Sequence, residues 1–284
     1  MIQPVLAGED LLRQIDRAAA PTPTLWWLGQ SGFVLKYHDI IFYIDPYLSD
    51  HLAATVADPE RPRTRMTASP LEPGRVRHAD MLLSTHAHGS HMDPATLAPM
   101  LAASPRAKLV LPRSAAAQAR AAGIDYARMT TTDSDLRVEF FRRGLYARIY
   151  AVPSAHEELD YTAAGGYPYL GYLIRCGGST IYHAGDGVRY ESLVSRLRPY
   201  NVTVALVPIN GRDPRRGVAG NFDIIEAAQL AEDIGARWLV AMHYDMFAFS
   251  TADINRFIDH MLGSRPAQRF KIFQCGEGWT VPES

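Results

Sequence analysis

The chain has 284 residues, 47% of them hydrophobic and 21% charged. These fractions lie near the soluble globular average and exclude disorder, collagen and a coiled coil. The 29 basic and 30 acidic residues leave a net charge of −1, which argues against a nucleic-acid binder and against docking on an anionic membrane.

An amphipathic helix is predicted over 8–20, with Leu11, Leu12, Ile15 and Ala19 on one face. Strands follow at 24–28, 32–37 and 40–44, with turns at Gly29 and at the His38 and Asp39 pair. Trp26, Trp27 and Phe33 fall on strand periodicity as core residues, and Pro46 stops the third strand. Residues 50–78 are polar, rich in Pro and Gly, and carry Arg61, Arg63, Arg65, Arg75 and Arg77. They read as a long excursion loop, either a lid or interaction surface or a plain solvated insertion.

The apolar run 79–85 marks a strand covered on both faces. A helix at 94–103, a strand at 108–111 and an Ala-rich helix at 113–122 come next. Two alternating strands within 136–152 turn at Gly144, and a second pair, 169–176 and 179–183, turns at Gly177 and Gly178. Helix 190–198, strand 203–208, helix 222–234, strand 237–242, helix 251–262 and strand 270–274 complete the order. Strands, βα units, strands and βα units again imply two mixed sheets packed face to face with helices outside, an αββα sandwich. No linker-like boundary divides it, so 1–284 reads as one domain.

Cys176 and Cys275 stand far apart with no C-x-x-C spacing, and read as unpaired thiols of a reducing compartment. No apolar run reaches 18 residues, and the first twenty residues lack the charge and apolar core of a signal peptide. The expected location is the cytoplasm.

The chemistry concentrates in Ser84-Thr85-His86-Ala87-His88-Gly89-Ser90-His91-Met92-Asp93-Pro94. Three imidazoles within six residues follow directly on a buried strand, where α/β proteins place their sites. Neutral imidazole is the commonest metal ligand, and the small Ala87 and Gly89 let the backbone turn sharply. His156, Asp186 and His243 each sit just beyond a strand and are further ligand candidates, although such isolated residues are often structural. His183, pointing away from its neighbours by strand alternation, reads as structural. Asp93 before Pro94 reads as a helix cap.

The series His86-x-His88-x-Ser90-His91, His156, Asp186, His243 resembles the H-x-H-x-D-H…H…D…H pattern of the metallo-β-lactamase fold. Leu25-Trp26-Trp27-Leu28-Gly29-Gln30-Ser31-Gly32-Phe33, the strand end Tyr182-His183-Ala184-Gly185-Asp186 and Asp213-Pro214-Arg215-Arg216-Gly217 look like the L-ascorbate-6-phosphate lactonase branch. The resemblance implies that His86, His88 and His156 bind a first metal. Asp186 would bridge to a second, which also takes His91 and His243. A metal-activated water would then attack a carbonyl or phosphorus.

Ser90 departs from the pattern, standing where the family has Asp. The outcomes are a weakened second metal, a single-metal enzyme, or a descendant that binds without hydrolysis. The catalytic candidates are Asp186 and Ser90, and the cofactor is one or two divalent ions, Zn or Mn. Arg212, Arg215 and Arg216 follow strand 203–208 and are expected to bind an anionic small-molecule substrate. Tyr244 is expected to line the cleft with Tyr47 and His51. The leading activity is a lactonase on an anionic sugar lactone or sugar-phosphate lactone, the alternative a phosphodiesterase. The sequence leaves a homo-oligomer open.

Overall fold

Strands that are apolar on both faces can persist only between other layers, and the chain builds such layers twice. A computed structural model describes residues 1–283, apart from the side chain of Arg216. Helix α1 (Gly8–Arg17) precedes β1 (Thr24–Gly29), β2 (Gly32–Tyr37) and β3 (Ile40–Ile44), and every residue of β1 and β3 is buried. Within the predicted excursion, residues 51–55 form α2 (His51–Thr55).

Strand β4 (Met81–Leu83) is shorter than its apolar run. Beyond it the Thr85 amide turns aside to the Asp45 carboxylate, 2.8 Å away, instead of a neighbouring strand. Helix α3 (Pro94–Ala103) opens on Asp93, whose side chain accepts the Ala95 amide at 3.2 Å. The first half closes with β5 (Lys108–Pro112), α4 (Ala116–Ala121) and β6 (Met129–Thr132).

The second half begins with the hairpins β7 (Arg137–Arg142), β8 (Leu145–Pro153), β9 (Leu170–Cys176) and β10 (Ser179–His183). Then come α5 (Leu193–Leu197), β11 (Val204–Pro208), α6 (Ile224–Asp233), β12 (Trp238–Met242), α7 (Ile254–Ser264), β13 (Arg269–Lys271) and β14 (Gly278–Thr280).

Two seven-stranded mixed sheets result, ordered β14-β1-β2-β3-β4-β5-β6 and β13-β12-β11-β10-β9-β8-β7. Their facing sides share one core, in which Phe33, Phe42 and Ile44 meet Ile149, Leu173 and Met242. Helix α6 joins that core through Ala227 and Leu230, while α1 and α3 cover the outer face of the first sheet through Leu11, Ile15, Leu97 and Met100 against Trp26 and Tyr43. The αββα expectation therefore holds. Strands β6 and β14 were not foreseen from their sequence. Strand β14 crosses from the second half back to pair with β1, setting Leu25 opposite Trp279.

The parallel strands β3–β4 and β10–β11–β12 run in register. Asp45, the histidine cluster, Asp186, Asn210 and His243 all follow the carboxyl ends of these strands, the position at which such sheets present ligands. Among the described residues no helix is long and apolar enough to cross a membrane.

Candidate metal centre

Strand β4 delivers the cluster into a compact turn in which the amides of His91 and Met92 both bond the His88 carbonyl, at 2.9 and 2.8 Å. Gly89 does not take a left-handed conformation there, so the turn needs no glycine backbone freedom. What a Cβ at 89 would meet is the Leu52 side chain, at 2.6 Å. Gly185 is different. Its φ is +64°, and a Cβ would lie 2.8 Å from the Leu170 carbonyl oxygen. That tight bend places Asp186.

His86, His88 and His156 converge. His86 Nε2 lies 3.0 Å from His88 Nδ1, and His156 Nε2 lies 3.2 Å from the same atom. Their outer nitrogens are engaged elsewhere. The Thr85 hydroxyl donates to Asp45 at 2.6 Å, which leaves its oxygen to accept from His86 Nδ1 at 3.0 Å. His156 Nδ1 donates to the Gly220 carbonyl at 2.9 Å. Both rings thus turn an Nε2 lone pair inward. Burial, reinforced by the neighbouring histidines, pulls the His86 pKa well below its ordinary value and the His88 pKa down to about 4. These rings are neutral, the form that ligates.

Asp186 stands at the centre of the other group. Its Oδ2 lies 3.3 Å from His91 Nε2, 3.4 Å from His243 Nε2 and 4.0 Å from His156 Nε2. Burial alone would raise its carboxyl pKa, yet His91 and His243 hold it well below the carboxylate range. For His91, burial opposes charge, but Asp186 and Asp45 outweigh it and hold the ring up at about 10, so its Nε2–H faces Asp186 and would ligate only once a cation displaced that proton. His243 sits at φ +69° and Asp45 at +44°, left-handed conformations that cost a non-glycine residue about 1–2 kcal/mol.

These groups fit a divalent cation. Two triads, His86–His88–His156 and His86–His91–Asp186, each keep their ligand atoms within 4.8 Å of one another. Asp186 Oδ1 is buried without a hydrogen-bond partner, an arrangement that is costly unless something electropositive faces it. The nitrogen and oxygen donors, with no thiolate among them, suit Zn, Mn or Fe. His243 is held more loosely to this scheme, because the Gln30 amide approaches both its ring nitrogens, at 3.3 and 2.8 Å.

A cavity of about 300 Å³ opens over the ligands, lined by His88, Ser90, His156, Asp186 and His243 among others. Ser90 is thus in the wall. Leu52, Val56 and Arg63 of the 50–78 excursion form another part of that wall, so this segment is neither free nor merely solvated. A wider cavity of about 530 Å³, lined by Lys36, His78, Asp80 and Arg142 among others, contains none of the ligand candidates.

The predicted substrate residues fall elsewhere. The 210–217 loop reaches the cavity through Asn210 and Gly217, with Val218 and Ala219 beyond. Arg212 is instead clamped on Glu226 at 3.0 and 2.7 Å, and the Arg215 side chain is 90% exposed beside Asp213. The Arg216 side chain lies outside the described residues. Tyr244 is buried, stacked on Trp27 with ring centroids 4.4 Å apart, and donates to the Phe273 carbonyl at 2.6 Å. It belongs to the core, and neither Tyr47 nor His51 lines the cavity. His183 is structural: Nε2 donates to the Ser31 carbonyl at 2.8 Å and Nδ1 accepts the Gly185 amide at 3.2 Å.

Several contributors were not identified from sequence. Asp45 accepts from Thr85 and from His91 Nδ1, and its signal was an Asp-Pro pair closing a buried strand. Tyr169 packs its ring 5.4, 5.8 and 5.1 Å from those of His86, His88 and His156, and burial raises its hydroxyl pKa. A chain of buried amides, Asn221 to Asn210 at 3.0 Å and Asn210 to Ser250 at 3.2 Å, stiffens the far wall.

A family model described as a beta-lactamase superfamily domain matches residues 42–244, a span that contains every candidate ligand. A UPF0173 metal-dependent hydrolase of Pyrococcus furiosus is 27% identical over 236 residues, covering 81% of this chain and 88% of that protein. Igni18, a metallo hydrolase from Ignicoccus hospitalis, superposes with a TM-score of 0.68 at 21% identity, over 92% of this chain and 99% of that one. An isothiocyanate hydrolase from Delia radicum gut bacteria superposes with a TM-score of 0.71 at 18% identity, over 92% and 100%. The two structures establish a shared fold, on which different chemistries can be built.

Proposed function

Because the chain belongs to the beta-lactamase superfamily and is a metal-dependent hydrolase, we propose that it opens a lactone bearing an anionic group, with one or two Zn or Mn ions at the histidine cluster. The observation that carries this is the convergence of inward lone pairs on His86, His88 and His156 beside the partnerless Asp186 Oδ1. A bound divalent ion lowers the pKa of water from 15.7 to about 7 and polarises the electrophilic oxygen.

The chain's own residues prepare that chemistry. Thr85 and the Gly220 carbonyl fix which nitrogens of His86 and His156 face inward. Asp45 holds His91 through Nδ1 and leaves Nε2 toward Asp186. Asp186, kept ionised by His91 and His243, offers a carboxylate to a proton or a cation at the cavity floor.

Support for a lactone comes from the residues that carry the lactonase resemblance. Gln30 contacts His243 and lines the cavity, the Ser31 carbonyl holds His183, and Gly217 borders the mouth. Ser90 in the wall, where the family pattern has Asp, favours one tightly held ion over two. A panel of neutral and anionic lactones, run beside bis-p-nitrophenyl phosphate with metal analysis of the purified protein, tests this. Lactone opening that disappears with chelator is expected. Turnover of the phosphodiester alone would assign a phosphodiesterase, and bound metal with no turnover would assign a binding descendant.

A further inference from the structure

The 61–65 segment carries three arginines in alternation, and two are committed. Arg61 pairs with Asp58 at 3.0 Å. Arg65 is buried and donates to the carbonyls of Thr67, Tyr47 and Ser49 at 3.0, 2.9 and 3.2 Å. Arg63 differs. Its guanidinium carbon lies 4.5 Å from the Phe249 ring centroid, and its Nε is buried with no hydrogen-bond partner. No ion pair joins it to a carboxylate among the described residues. Arg63 is also the one permanently cationic side chain in the wall of the metal cavity as described.

A guanidinium held against a ring with a buried unsatisfied donor is poised for an external acceptor. The aromatic face fixes the plane of the fork, so less freedom is lost when an acceptor docks. The otherwise largely polar cavity also has apolar lining, from Leu52, Val56, Phe247 and Phe249.

We propose that Arg63 is the substrate-specificity residue of this site, binding a planar anionic group such as a carboxylate on a substrate whose apolar body rests on Phe247 and Phe249. This rests on the hydrolase reading above and replaces Arg212 and Arg215 as the anion contact. It places the carboxylate at the excursion wall and the scissile group toward the ligands, so the substrate spans the cavity.

The test is calorimetric titration of metal-loaded protein with phenylacetate, and with phenylacetamide as the neutral control. Any direct contact of the carboxylate with metal is common to wild type and variant, so the difference reports Arg63. Arg63→Gln is expected to weaken phenylacetate about tenfold or more, the scale of a lost charged hydrogen bond, and to leave phenylacetamide unchanged. Arg63→Lys, which keeps the charge without the fork, is expected to fall between, and Arg61→Gln to match wild type. Melting curves check that each variant is folded. Equal phenylacetate affinity in wild type and Arg63→Gln, or no saturable binding by wild type, overturns the proposal. In kinetics on carboxylate-bearing and neutral lactones, Arg63→Gln should raise KM for the former alone. Absence of all turnover removes the hydrolase reading, while the titration still decides the role of Arg63.

Discussion

Asp45 Oδ2 and His91 Nδ1 meet at 2.7 Å in a setting where neither side chain is exposed. Asp45 directly follows β3, and His91 lies in the turn beyond the adjacent parallel strand β4, so the strand pairing brings a buried acceptor up to a ligand candidate. The same carboxylate holds Thr85 by two bonds, and Thr85 in turn holds His86. One buried group thus orients two imidazoles.

Asp45→Asn should therefore disturb the centre without touching it. An amide keeps the volume but replaces one acceptor oxygen with a donor, which then confronts the Thr85 or His91 donors. Loss of such an outer partner typically weakens metal affinity about 10- to 100-fold. Chelator competition against wild type measures it, and an unchanged Kd would mean that His91 needs no such support.

His86→Ala and His88→Ala each remove a nitrogen from the inward-facing triad. Both variants should lose stoichiometric metal and all hydrolytic activity. Full metal content after dialysis in either one would contradict the assignment of this triad.

Ser90→Asp places a carboxylate in the cavity wall beside His88 and Asp186. An anionic donor attracts a cation where a neutral hydroxyl does not, so the variant should hold more metal per chain than wild type after identical dialysis. Equal content with His91 and His243 intact would show that position 90 does not face the ions.

Arg215→Ala and Tyr244→Phe are expected to spare catalysis. The Arg215 side chain projects into solvent, so KM for an anionic substrate should not change. Removing the Tyr244 hydroxyl deletes its bond to the Phe273 carbonyl and should cost about 1 kcal/mol of stability, read from denaturant midpoints. A changed KM in Arg215→Ala would return that loop to the substrate.

Gly185→Ala probes the bend ahead of Asp186. At φ +64° with the Leu170 carbonyl in the way, the methyl group should cost about 1–3 kcal/mol and displace the carboxylate. A lower Tm together with lower metal content is expected. A normal Tm would show that the bend relaxes.

The architecture was legible because its signals are local. Gly144 and the Gly177–Gly178 pair turned hairpins where expected, and Asp93 capped its helix. Strands β6 and β14 carry only four and three residues, too few for a period, and exist because a neighbouring strand offers free hydrogen bonds. At the centre, residue type and spacing revealed the histidines. Asp45 stayed hidden because an Asp-Pro pair also reads as a strand end, and only tertiary contact shows what the carboxylate holds. Arg212 and Arg215 show the same limit: loop position brings Gly217 to the cavity, while Glu226 and Asp213 take the guanidinium groups.

The return of β14 to β1 has a consequence for how the chain is made. Thr24 and Thr280 touch across 256 positions, so the outer edge of the first sheet stays open until residues 278–280 have left the ribosome. Strand β1 is buried throughout its length, and before closure it presents an apolar, unpaired edge of the kind that recruits other chains. Order of synthesis and order of assembly are therefore opposed at this one seam. Aggregation during expression should concentrate in chains that stop short of residue 278, even though every candidate metal ligand has already been translated.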